Sequence, residues 1–186
     1  KAIFSRETAM NTKTTLDLFL IALVLAASVH DLVERKIPNR LIGCGLLSAG
    51  VLHLASGVPF SMLSTGLAGL AVGFAIFFPL YCVRGMAAGD VKLMAMAGAF
   101  TGPVLALEIA LAAFCFGGLM ALAIVIVRGR MRDTLANMRA LLRPLYMRLT
   151  GMPAASEAVA IPSVGGMPYG AAIAAATCLM LLLRHG

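Results

Sequence analysis

Apolar residues in this chain gather in long runs separated by short polar breaks. Six runs can be marked: Leu16–His30, Leu41–Ala55, Phe60–Cys82, Val91–Phe100, Val104–Val127 and Gly170–Leu183. They predict an all-α, polytopic membrane protein of about six transmembrane helices. A full span takes roughly 20 residues, so the first, second and fourth runs are short on apolar residues alone. Such runs extend into their polar flanks or border a thin, wet region. The fourth directly follows Asp90, which puts its start at a water-filled cleft rather than in lipid. The pattern changes over 128–150. Met131, Leu135, Met138, Leu142, Leu145 and Leu149 recur at three- and four-residue steps, and arginines fill much of the remainder. That spacing predicts an amphipathic helix lying in the interface against anionic lipid, bent or broken at Pro144. Residues 151–166, rich in Ala, Ser, Pro and Gly, read as a flexible loop.

Composition sharpens this picture. The chain is 61% hydrophobic and 12% charged, with a mean hydropathy of +0.96. A soluble domain is nearer half apolar and a quarter charged. The 186 residues fit one domain, 10–186, with no polar stretch long enough for a second. Residues 1–9 read as an extension foreign to a natural chain starting at Met10. The net charge of +7 is not the footprint of nucleic acid, because basic residues in a polytopic protein mainly set orientation. Of the 15 basic residues, 11 fall in the breaks at 31–40 and 83–92 and in the stretch after Val127. The positive-inside rule makes those three segments cytoplasmic and puts both termini outside, in a multi-pass inner-membrane protein. Cys44, Cys82, Cys115 and Cys178 form no CxxC and read as four buried small hydrophobes.

The candidate chemistry is carboxylate chemistry. Asp31 ends the first run, and Asp90 precedes the fourth within Gly85-Met-Ala-Ala-Gly-Asp90. Topology brings both to the cytoplasmic face. An ionisable group beside hydrocarbon is costly and therefore a functional candidate. Two carboxylates held close share a proton, so one can take a proton from water while the other protonates a carbonyl or leaving group. That is peptide hydrolysis without a metal, a cofactor or a covalent intermediate. A bland alternative pairs Asp31 with Arg35 or Lys36 and makes Asp90 the cap of the fourth helix. The scattered His30, His53 and His185 offer no metal site.

Asp31 with Ile37-Pro38-Asn39, followed by Gly89-Asp90-Val91-Lys92, resembles the type IV prepilin peptidases, which are GxGD-type intramembrane aspartic proteases. The resemblance extends from Met10 to the Pro168-Tyr169-Gly170 lead-in of the last helix. It implies that Asp31 and Asp90 are catalytic and that the substrate is a prepilin-like protein cut after a short basic leader at the cytoplasmic face. One position departs from the motif: its first glycine is Ala87 here. A methyl group there restricts the loop. The chain also lacks the paired CxxC segment of the long, methylating members, and so looks like the short form associated with Flp/Tad pili.

Supporting roles go to residues around the pair. Lys92 is placed to hold a carboxylate charged, to bind substrate or simply to snorkel at the helix start. Pro38 opens the turn to the second helix and Asn39 closes it. Gly85 and Gly89 leave the backbone free near Asp90. Asp17 and Glu108 lie toward the far side. A different class of function remains: a non-enzymatic transport or pilus-assembly subunit using Asp31 and Asp90 for proton or ion binding. The mid-membrane runs carry no acids to extend such a pathway, which disfavours it.

Overall fold

A computed structural model of the chain describes residues 2–55, 59–83, 85–129, 131, 132, 134 and 167–185, with 2–13 and 59–62 described by backbone alone. The described residues are all-helical. Six helices follow in order: α1 (Ala2–Glu34), α2 (Asn39–Leu54), α3 (Pro59–Cys82), α4 (Ala88–Thr101), α5 (Pro103–Val127) and α6 (Tyr169–His185). The chain divides into two compact units, residues 1–117 with 168–186, and residues 118–167. Most of the expected amphipathic helix at 128–150 and the loop at 151–166 lie outside the described residues. At the edge of that stretch, Gly129 takes a left-handed φ of 64° just past the end of α5, a conformation that suits glycine.

α1 is longer than its apolar run. It is helical from Ala2, through the residues expected to be foreign, because nothing between 2 and 34 is Gly or Pro and good helix formers occupy its start. Three segments are long and apolar enough to cross a membrane: Thr14–Glu34, Leu63–Cys82 and Pro103–Val127. α2, α4 and α6 are shorter. At 1.5 Å per residue the 14 residues of α4 cover roughly 21 Å, less than the ~30 Å hydrocarbon core. The three membrane-length segments expose most of their surface, and their outward residues are large and apolar, Leu18, Val29, Leu67 and Leu111 among them. An apolar exterior of that extent belongs in lipid.

α4 is the centre of the first unit. Every residue from Val91 to Phe100, other than Lys92, is buried, and α1, α2, α3 and α6 all pack against it. Its closest neighbour is α3. Gly69 meets the backbone of Gly98, and Gly73 meets that of Met94, leaving no room for a Cβ at any of the three glycines. This is the close crossing that small residues permit. Gly102, with φ 80°, ends α4, and Pro103 starts α5 with a φ already suited to a helix.

The cysteines correct the sequence reading. Cys44, Cys82 and Cys115 are exposed and Cys178 is half-buried. They face outward because a thiol is apolar enough for lipid, and a hydropathy run cannot tell a lipid-facing position from a core one.

Candidate active site

α1 and α6 lie antiparallel and are joined near both ends of α6 by carboxylates of α1. At one end Asp17, buried, accepts from His185 Nε2 at 2.9 Å and pairs with Arg184 at 3.6 Å. At the other, Asp31 Oδ2 accepts the backbone N–H of Gly170 at 2.8 Å. Asp17 and Asp31 are four turns apart on one face of α1, and Gly170 and Arg184 are equally spaced on α6. The two contacts therefore fix both the register and the direction of the pair.

The Asp31 end is where the sequence candidates meet. Asp31 occupies the last turn of α1 and is 7% exposed; Asp90 occupies the first turn of α4 and is 5% exposed. Asp90 is close enough to Asp31 to feel its charge. Burial first, and the Asp31 carboxylate second, push Asp90 from an ordinary 3.8 up to about 7, against a backbone hydrogen bond with Ala87. Asp90 lies outside the three membrane-length segments. The ion-pair alternative does not hold, whereas Asp90 does serve the start of α4 through its bond to the Ala87 backbone. Among the described residues Asp31 has no ion pair with Arg35 or Lys36, and the N-cap position of α4 is Ala87, not Asp90. Asp90 sits in the first turn, where the helix dipole favours a negative group.

Ala87 itself has φ −79° and ψ 150°, extended backbone open to any L residue. The methyl group expected to restrict the loop costs nothing here. Gly89 also differs from expectation. It is helical, and its value lies in closeness: a Cβ there would come to 3.3 Å of Ile37 Cβ. Pro38 is the N-cap residue of α2, with φ −64°, and its carbonyl accepts from Leu41 N–H at 3.1 Å. Asn39 begins α2, and its Oδ1 accepts from Lys92 Nζ at 3.0 Å. That bond ties α2 to α4 beside the aspartates. Among the described residues Lys92 pairs with neither carboxylate, so its contact is with the Asn39 amide.

Two residues of the site are absent from the sequence assignment. Gly170 supplies the N–H to Asp31. Tyr169 anchors the same turn: its hydroxyl donates to Ala113 O at 3.0 Å, and its ring meets Phe77 edge-on with centroids 6.0 Å apart. The signal was the Pro168-Tyr169-Gly170 triplet, a helix start with a small residue in its first turn, which the sequence reading noted only as the lead-in of the last helix. The histidines, expected to be isolated, each have a partner. His53 is buried with Nε2 2.8 Å from Ala99 O, and His30 lies 3.8 Å from Glu34. Among the described residues no three His, Cys, Asp or Glu side chains converge on a metal-sized site.

An all-helical membrane protein with an apolar exterior and two buried carboxylates at one helix junction is the class this geometry defines. A model of the type IV leader peptidase family matches residues 18–122, more than half of the chain and both aspartates, so the chain belongs to that family. It is a peptidase of the membrane. No curated protein and no solved structure gives a significant match.

Proposed function

We propose that the protein is an intramembrane aspartic endopeptidase that removes the short basic leader of prepilin-like proteins at the cytoplasmic membrane face, with Asp31 and Asp90 as its catalytic pair. The observation that carries the reading is the meeting of two buried carboxylates at the junction of α1, α4 and α6, one of them raised to about 7. A carboxyl that keeps its proton near neutrality is a general acid, and a neighbouring carboxylate bonded to an N–H is a base; together they split the two jobs of hydrolysis. Asp31 takes a proton from water as the water attacks the scissile carbonyl. Asp90 gives its proton to the carbonyl oxygen; the C–N bond then breaks as the proton gained by Asp31 passes to the leaving amine and a hydroxyl of the diol returns one to Asp90. Membership of the leader peptidase family supports this substrate class. The absence of paired CxxC motifs from the 186 residues supports the short, Flp/Tad-type form, acting as a peptidase alone. The basic segments near the aspartates support a cytoplasmic site. The stretch 128–150 would rest on anionic lipid.

The test is co-expression with candidate prepilin-like proteins, followed by N-terminal sequencing of the product. A new N-terminus just before the hydrophobic helix of the substrate is the expected result. An uncut substrate in every pairing, with the protein folded and in the membrane, would count against the reading.

A further inference from the structure

The peptide group at Gly170 has two unusual properties for a helix start. Its N–H is one of the first-turn donors that have no acceptor within their own helix, and the residue before the helix is Pro168, with no short polar side chain to cap it. The acceptor comes instead from another helix, as Asp31 Oδ2 at 2.8 Å. The approach is so close that a Cβ at 170 would lie 2.9 Å from Asp31 Oδ2, 3.1 Å from its Cβ and 3.2 Å from its Cγ. All three nearest atoms belong to one side chain. Gly170 itself is buried.

The rest of the turn is built to hold that N–H still. Tyr169 is fixed by its hydroxyl on Ala113 O and by its ring on Phe77. Gly117 makes room for the ring, since a Cβ there would come to 2.8 Å of Tyr169 Cζ. Asp31 Oδ1, by contrast, has no partner among the described residues.

We propose that Gly170 is a positioning residue for the reaction: its N–H clamps Oδ2 of Asp31, so that Oδ1 is left as the oxygen that meets the attacking water. The inference rests on Asp31 being the base of the proposed pair. The clamp leaves the shared proton with Asp90, in keeping with the burial that keeps Asp90 protonated. Glycine is required because any side chain would push into the carboxylate it serves. A carboxylate freed to rotate about χ2 would present either oxygen at a range of angles, and a misplacement of about 1 Å can cost on the order of a hundredfold in rate.

Two variants test this. Gly170→Ala keeps the N–H but drives the methyl group into Asp31. Replacement of the 169–170 amide by an ester, carried within a synthetic C-terminal segment that is ligated upstream of Tyr169, removes the N–H and adds no bulk. Both are expected to lower kcat at least tenfold with KM within about twofold. A full wild-type kcat in the ester protein would overturn the proposal, whatever the fate of the alanine variant. A second readout needs no activity. The ester should lower the Tm of the wild-type protein and leave that of Asp31→Ala almost unmoved, because the bond is already gone. Equal Tm losses in both backgrounds would overturn the clamp. Failure of the wild type to cut any prepilin, with the Tm coupling present, would instead count against the peptidase assignment alone.

Discussion

Asp31 and Asp90 differ in surroundings more than in burial. Both meet a backbone N–H, Asp31 at Gly170 and Asp90 at Ala87, but Asp90 is in addition raised by burial and by the Asp31 charge. Asp31→Asn and Asp90→Asn should each abolish prepilin cleavage while leaving a folded protein, because a shared-proton pair cannot work with one carboxyl. Processing by either purified variant would exclude the pair as catalyst. The corresponding glutamates should retain about a hundredth of the activity, the added methylene shifting the carboxyl by about 1 Å. Asp90 must be protonated to act as acid, and its value of about 7 means that protonation is lost above neutrality. The kcat/KM profile should therefore fall on its alkaline side with an apparent pKa near 7, and tenfold per pH unit beyond it. Stability follows the same sign. The folded state holds this proton between 3.8 and about 7 while the unfolded chain releases it, so stability declines as pH rises through that window. Asp90→Asn should flatten that decline in thermal melts.

At the scale of elements, the α3–α4 crossing and the α1–α6 pair carry the site. α4 holds Asp90 by its first turn, and its depth is set by Gly69 and Gly73 of α3 against Gly98 and Met94. Gly98→Ala should destabilise the protein by about 1–3 kcal/mol, since two backbones would have to part. Gly50 on α2 has nothing within 4 Å of its would-be Cβ. Gly50→Ala should leave stability unchanged or raise it by about 0.5–1 kcal/mol through helix propensity. Melts of the two variants in one detergent compare them directly. Equal effects would mean that the crossing is looser than the structure has it. Asp17 had seemed remote from function, yet it bonds the far end of α6 and so shares in holding the helix that carries Gly170.

For the whole molecule, orientation and chemistry can be tested together. With 11 of the 15 basic residues in three segments, the proposed topology puts 31–40, 83–92 and 128–165 in the cytoplasm. In a cysteine-free background, Lys36→Cys should react with an impermeant thiol reagent only from the cytoplasmic side, and Ala55→Cys only from the other. The reverse pattern would refute the layout. The same cysteine-free protein should cleave prepilin in the presence of EDTA. A hydrolytic metal usually takes three protein ligands, and the described His, Cys, Asp and Glu side chains form no such set. Loss of activity restored by a defined divalent ion would make the aspartates metal ligands instead of an acid–base pair.

Runs of apolar residues were enough to establish a helical membrane protein, and two punctuated aspartates were enough to mark candidate chemistry. Both are local signals: hydropathy reports the solvent a helix meets, and a charge beside hydrocarbon is conspicuous wherever it lands. The same runs could not say which helices are long enough to cross a membrane: the first, short as a run, belongs to a segment that is, while α4 stays short and is enclosed by four other helices. They also misplaced the cysteines, since a lipid-facing and a core position read alike. The meeting of Asp31 with Gly170, and of Lys92 with Asn39, depended on how helices cross. A backbone N–H is the same at every non-proline residue, so its sequence carries no mark of which one will be aimed at a carboxylate. Only packing decides that, by bringing a glycine without a side chain to within hydrogen-bond reach of Asp31.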